Sequence, residues 1–189
     1  MVTLWKCLVQ PKLDYCSQLW TPDDQESINT IESVQLNFLS KVAGTDHLNH
    51  WERLKLLNLY SQERRRERYL VIFLCKIAEG LVKGYSIDFT QCDIGRRGRM
   101  ALPKPYIRTA PAAVRRARES SLGVKGCRLF NLLPAELRSM TGCSVNTFKK
   151  HLDEFLATVP DQPTVSGMTR AADTNSLIDQ LAMKVGSSN

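Results

Sequence analysis

The feature that most constrains the fold of this chain is a stretch of helical periodicity at residues 51–80, WERLKLLNLYSQERRRERYLVIFLCKIAEG. A short leucine-rich amphipathic piece opens it, and Ser61 then offers a side-chain oxygen that can cap a second helix. Gly80 can adopt the left-handed conformation that commonly closes a helix. The sequence therefore predicts a core helix over residues 61–80. Its buried stripe consists of Leu70, Phe73, Leu74, Ile77 and Leu81.

Two more apolar stripes predict long helices, over residues 21–43 and 144–159. Thr21 and Ser144 stand at their starts, and each has a hydroxyl suited to capping a helix. Near the N-terminus a short apolar run precedes Pro11, which is expected to break any helix begun there.

Weaker patterns predict short helices over residues 112–120, 134–140 and 175–183. Strand signals are nearly absent from the chain. The predicted fold class is therefore all-α, as a small irregular bundle of four or five helices with a basic linker that contains proline and glycine.

A chain of 189 residues suits a single domain with a modest core. The patterns divide it into an N-terminal helical part at residues 1–95 and a basic linker at residues 96–128. Residues 129–160 are expected to form C-terminal helices that pack on the first part, and residues 161–189 a mostly flexible tail.

The positive charge of the chain is concentrated in one segment. Of the formal net charge of +7, residues 96–128 contribute +9 and the remainder −2. Such a segment is typical of proteins with a polyanionic partner, most often a nucleic acid. Basic tracts of this kind also occur in nuclear-import signals and in solvated linkers.

The arginines that open the central helix could bind phosphate as well, or could form a solvated basic turn above a core helix. In the linker, Tyr106 could stack on a base while its basic neighbours contact phosphates. The candidate nucleic-acid-binding residues are Arg64, Arg65, Arg66, Arg68, Arg96, Arg97, Arg99, Lys104, Arg108, Arg115, Arg116, Arg118, Lys125 and Arg128.

Four ordered stretches carry a family resemblance: the central stretch at residues 51–80, then LVQPKLDYCSQLW at 8–20, RLFNLLPAELRSMTGCSVNTFKKHLDEFLATVPDQP at 128–163 and TNSLIDQL at 174–181. They resemble the region downstream of the polymerase domain in jockey-like, chicken-repeat-type non-LTR (LINE) retrotransposons. The resemblance covers nearly the whole chain. It implies a C-terminal remnant of a reverse transcriptase polyprotein whose Met1 starts inside a longer ancestral frame.

In that family this region follows the polymerase thumb, so the resemblance implies a part that helps hold template RNA or target DNA. The ancestral partner would be the polymerase domain of the same polyprotein. Two other interpretations remain open, a helical protein-interaction module whose arginines meet acidic surfaces and a decayed element fragment without a selected function.

The carboxylates of a polymerase are not found in the chain. Such enzymes use a Tyr-x-Asp-Asp turn between apolar strands, whereas Asp23 and Asp24 follow a proline at a predicted helix start and Asp88 is a single carboxylate. We therefore expect no enzymatic activity and no catalytic residue. His47 and His50 are expected to be loop histidines, because zinc needs further ligands.

No cofactor or metal is expected. Six scattered cysteines without a C-x-x-C pair, and an N-terminus unlike a secretory leader, favour reduced thiols in an intracellular protein of the nucleus or cytoplasm. The longest apolar run, Tyr69 to Cys75, is too short to span a membrane, so no membrane partner is expected.

Overall fold

The computed structural model describes residues 1–22, 24–86, 100, 111–163 and 175–186, with side chains to residue 181. Helices form the regular structure of these ranges, and no strand occurs in them, so the predicted all-α class is confirmed. The chain divides into two compact units. Unit 1 comprises Met1–Arg66 and Asp161–Ser176, and unit 2 comprises Glu67–Pro160 and Leu177–Asn189.

This division differs from the one that the sequence suggested. Residues 161–189 were expected to be a mostly flexible tail with a short helix over residues 175–183. Leu177–Gly186 forms this helix in unit 2, and Asn175 and Ser176 before it are buried in unit 1. Part of the expected linker is helical as well. In both places, short segments of the chain contribute buried residues to a core. Domain boundaries drawn from amino-acid composition cannot indicate such segments.

Unit 1 is built from short helical pieces and one long helix. They are α1 (Val2–Leu4), a π-helical turn (Trp5–Val9), α2 (Gln10–Asp14), α3 (Ser17–Trp20), α4 (Gln25–Leu39), α5 (His50–Leu56) and the first residues of the central helix α6 (Gln62–Ala78).

The helical path at the N-terminus continues through Pro11, contrary to the expectation that proline would break it. The backbone N–H of Gln10 donates to the carbonyl of Trp5, which is the five-residue spacing of a π-helix. Pro11 then stands in the first turn of α2, where a helix does not use the backbone N–H that proline lacks. The π-helical turn thus lies directly before the proline.

Helix α4 begins later than predicted, and Asp24 caps it instead of Thr21. The Asp24 carboxylate accepts a hydrogen bond of 2.8 Å from the backbone N–H of Ser27. The Thr21 hydroxyl donates to the carbonyl of Ser17 at 2.5 Å. The predicted cap residue therefore closes the preceding short helix.

The buried face of α4 is largely polar, which its apolar periodicity did not indicate. Glu32 and Gln35 are buried there beside Leu39. One carboxylate oxygen of Glu32 lies 2.9 Å from the His50 ring, and the Gln35 amide donates to the carbonyl of Tyr60 at 3.1 Å. These bonds offset part of the cost of burying polar groups, although Gln35 Oε1 has no hydrogen-bond partner among the described residues.

The start of α6 in unit 1 is fixed by side-chain oxygens. Ser61 caps the helix as predicted, accepting from the N–H of Arg64 at 3.2 Å. The N–H of Ser61 donates to Asp161 at 2.9 Å, and that of Gln62 donates to Glu32 at 2.8 Å. The first N–H groups of a helix have no intrahelical partner and carry the positive end of its dipole, so carboxylates are favoured there.

Unit 2 contains the rest of α6 and the later helices. These are α7 (Ala112–Glu119), a second π-helical turn (Leu122–Gly126), α8 (Cys127–Leu132), α9 (Ala135–Arg138), α10 (Val145–Leu156) and α11 (Leu177–Gly186).

In unit 2, α6 is buried on more than the predicted stripe. Phe73 is only half-buried, and Leu81 lies beyond the helix end and is exposed. The π-helical turn comes close to this helix, because a Cβ on Gly126 would lie 2.9 Å from Leu74 Cδ1. The buried apolar side chains of α6 are Leu70, Val71, Ile72, Leu74, Cys75 and Ile77. The later helices complete this core with Leu129, Phe130, Phe148, Leu152, Leu156 and Leu177.

Candidate nucleic-acid interface

Helix α7 carries the predicted arginine cluster on the surface of unit 2. Alanine and arginine both favour helix, and none of the eight residues from Ala112 to Glu119 is buried. Arg115 and Arg116 are exposed, while Arg118 is half-buried. Arg116 and Arg118 lie in the last turn, where cations stabilise the negative end of the helix dipole. The fold therefore presents at least two guanidinium groups to solvent on one short helix.

Arg128, at the start of α8, adds a cation near the end of α7. Its Nη1 lies 2.6 Å from a carboxylate oxygen of Glu119, and the two side chains are 47% and 54% exposed. An ion pair this exposed is worth about 0–1 kcal/mol, so a phosphate could replace the carboxylate at little cost. Arg128 thus belongs with the α7 arginines, and we call Arg115, Arg116, Arg118 and Arg128 the α7 basic surface.

Lys125 has a different environment from its basic neighbours. Its Nζ lies 3.2 Å from Glu67, whose side chain is fully buried, and the Lys125 side chain is itself only 16% exposed. The other oxygen of Glu67 accepts a hydrogen bond of 2.6 Å from the backbone N–H of Leu177. Lys125 was predicted to contact phosphate, but here it serves as the counter-ion of an interior carboxylate.

The arginines that open α6 lie inside the protein, contrary to the exposed position that contact with a nucleic-acid backbone would need. Arg64 is fully buried and Arg66 is 4% exposed. Arg65 is half-buried in unit 1, and its Nε and Nη2 bind both oxygens of Asp14 at 2.8–3.0 Å. These side chains are buried or half-buried because the first turns of α6 are covered within their unit. Both interpretations made from the sequence, phosphate binding and a solvated basic turn, had required exposed side chains.

Arg68, in unit 2, is engaged in the same manner. Its Nη2 donates to Asp153 on α10 at 2.7 Å, and its Nε donates to the other oxygen of that carboxylate. The guanidinium carbon also lies 6.0 Å from the ring centroid of Tyr69. This pair ties α6 to α10 and leaves the side chain only 14% exposed.

The remaining predicted basic residues lie outside the residues that the structure describes. They are Arg96, Arg97, Arg99, Lys104 and Arg108, together with Tyr106.

Burial perturbs the pKa of two groups in opposite ways. Loss of solvent lowers the pKa of Arg66 to about 10, an effect that the charge of Asp14 partly opposes. Burial raises the pKa of the Cys127 thiol, since the thiolate is poorly solvated inside unit 2. Cys127 is 2% exposed and thus belongs to the core.

The histidines give no sign of a metal centre in the described ranges. His50 opens α5 and binds Glu32, while His47 is exposed in the preceding loop. No group of three or more potential metal ligands occurs in the part of the chain that the structure describes. Of the helices described, none is long and apolar enough to cross a bilayer.

Sequence reasoning missed one feature of this region, the stacking of Arg66 on Trp20. The guanidinium carbon lies 3.8 Å from the centroid of the indole ring. The two residues are far apart in the sequence, and neither the arginine run nor the tryptophan alone indicates the contact.

Comparison with known proteins adds no assignment, since no family model, curated protein or solved structure matches this chain.

Proposed function

We propose that this protein is a C-terminal part of a non-LTR retrotransposon reverse transcriptase polyprotein, without the catalytic core, and that it binds RNA or DNA through the α7 basic surface. The observation that carries the proposal is the exposure of Arg115 and Arg116 on α7, together with the exposed side chain of Arg128, which pairs with Glu119 at the end of that helix. Guanidinium groups match the geometry of phosphate and stay charged at all physiological pH values.

The arginines of α6 are not part of this surface. Those side chains are buried or bound to Asp14 and Asp153, and breaking such contacts would cost more than a phosphate contact returns. The positive charge of residues 96–128, +9 in total, still favours a polyanion as the partner.

Salt-dependent binding to a single-stranded oligonucleotide tests the proposal. The logarithm of affinity should fall linearly with the logarithm of salt, by about 0.7–0.9 per phosphate neutralised. The triple variant Arg115→Ala, Arg116→Ala, Arg118→Ala should flatten this slope by up to about three contacts, with little change in sequence preference.

A charge-matched control shows whether binding depends on the α7 basic surface or only on the net charge of the chain. Lys41, Lys55 and Lys150 are exposed on other helices or loops, so replacing all three by alanine removes the same charge. The control should keep the wild-type slope. Binding that is absent at low salt, or that responds equally to both triple variants, would contradict the proposal, and a saturable, salt-insensitive protein partner would favour the interaction-module interpretation.

A further inference from the structure

Arg66 of unit 1 has hydrogen-bonding capacity that its surroundings do not use. Its side chain is 4% exposed, and its Nη2 donates to the carbonyl of Leu13 at 3.1 Å. Nε and Nη1 are buried and have no hydrogen-bond partner among the residues that the structure describes. Nε carries one N–H group and Nη1 carries two, so most of the five donors of this guanidinium are unsatisfied. Buried donors of a charged group are expensive to leave without acceptors.

The carboxylate nearest in effect to Arg66 is bound to another arginine. Asp14 is the acid whose charge acts on this guanidinium, but its two oxygens already bind Nε and Nη2 of Arg65. Desolvation lowers the pKa of Arg66 only to about 10, so the group is protonated at neutral pH. Asp14 therefore acts on Arg66 through its charge, and no carboxylate is hydrogen-bonded to this guanidinium among the described residues.

Trp20 covers this guanidinium from the solvent side. The ring stacks on Arg66 with 3.8 Å between the guanidinium carbon and the ring centroid, yet Trp20 is itself 42% exposed. Its indole N–H donates to the backbone carbonyl of Tyr15 at 2.6 Å. The neighbouring Tyr15 and Leu19 are exposed at 76% and 84%, so the cover over Arg66 is a surface segment rather than core.

We propose that Arg66 is the centre of an oxyanion site for a phosphate or carboxylate group, with Trp20 as its lid. The anion would accept hydrogen bonds from the unsatisfied N–H groups and would form an ion pair with the guanidinium. Rotation of the Trp20 side chain admits the anion, because the ring is bound by one indole hydrogen bond and by stacking. This site is separate from the α7 basic surface and does not depend on the proposed function.

Thermal unfolding in the presence of sodium phosphate, sodium acetate or sodium chloride at equal ionic strength tests the site. A ligand at a hundred times its Kd raises the melting temperature of a chain of this size by roughly 5–10 °C. We expect such a rise with phosphate, acetate or both, beyond that with chloride, and the responding anion identifies the ligand class. The rise should vanish in Arg66→Met, whose melting temperature without oxyanion should equal or exceed that of the wild type.

Lys41→Met is the matched control, since it removes one exposed positive charge from the same unit and should keep the full response. If Arg66→Met does not fold, the emission of Trp20, taken as the difference between the wild type and Trp20→Phe, should change saturably with the same anion. A response no larger than with chloride, one that persists in Arg66→Met, or an unchanged Trp20 emission overturns the proposal.

Discussion

Lys125 neutralises a carboxylate that solvent does not reach, and its loss should be costly. Replacing it by methionine keeps the aliphatic stem but leaves Glu67 charged inside unit 2. Breaking a buried pair by removing one partner typically costs 3–5 kcal/mol, and the residual exposure of Lys125 places this pair near the lower value. We therefore expect Lys125→Met to lower the melting temperature by roughly 6–12 °C.

Arg128→Met provides the comparison, because its pair with Glu119 is about half exposed and should contribute less than about 1 kcal/mol. The double variant Lys125→Met, Glu67→Met should recover much of the loss. Equal melting temperatures for the Lys125 and Arg128 variants would show that Lys125 has no such role.

The residue scale also shows where prediction from sequence fails. The motif Arg64 to Arg68 reads as a basic patch, but whether a guanidinium is exposed depends on carboxylates elsewhere in the chain. Asp14 lies 51 positions before Arg65, and Asp153 lies 85 positions after Arg68. Nothing in a local window signals such pairs. The surface position of the α7 arginines agrees with the sequence, because no residue of Ala112–Glu119 is buried, whereas their role in binding stays a prediction.

At the scale of elements, helices with apolar stripes were predicted well. The central helix and α10 lie within one to three residues of their predicted ends, and Ser61 and Ser144 cap them as expected. Periodicity is informative there because apolar contacts provide most of the packing. It failed for α4, whose interior positions are held by Glu32 and Gln35, since a polar residue buried by a specific partner looks like a surface residue in the sequence.

Replacing a phenylalanine by alanine should cost more stability in α10 than in α6, because the two phenylalanines differ in burial. Phe148 of α10 is fully buried, and its replacement by alanine should cost about 3–5 kcal/mol of unfolding free energy. Phe73 of α6 is only half-buried, so Phe73→Ala should cost distinctly less. Urea unfolding of both variants measures the difference. A larger loss for Phe73→Ala than for Phe148→Ala would contradict the assignment of the core.

At the scale of the whole molecule, the chain passes from unit 1 to unit 2 inside α6 and returns to each unit once more. Sequence composition suggested boundaries at the edges of the basic segment instead. A boundary inside a continuous helix has no signature of glycine, proline or charge, since those mark linkers rather than helix interiors. The helical class could therefore be predicted, whereas the division into units could not.

The last prediction is that the isolated chain does not catalyse nucleotide addition. A two-metal mechanism needs several convergent carboxylates around ions about 3.5–4 Å apart. No group of three or more potential metal ligands occurs in the described ranges, where Glu32 and Asp161 receive helix N–H groups and Asp14 and Asp153 bind arginines. Primer extension on an RNA template with Mg²⁺ or Mn²⁺ should give no product above a heat-denatured control. Asp23 and Asp88 lie outside the described residues, so Asp23→Ala and Asp88→Ala are the decisive variants, and extension that either one abolishes would show a catalytic centre in this chain.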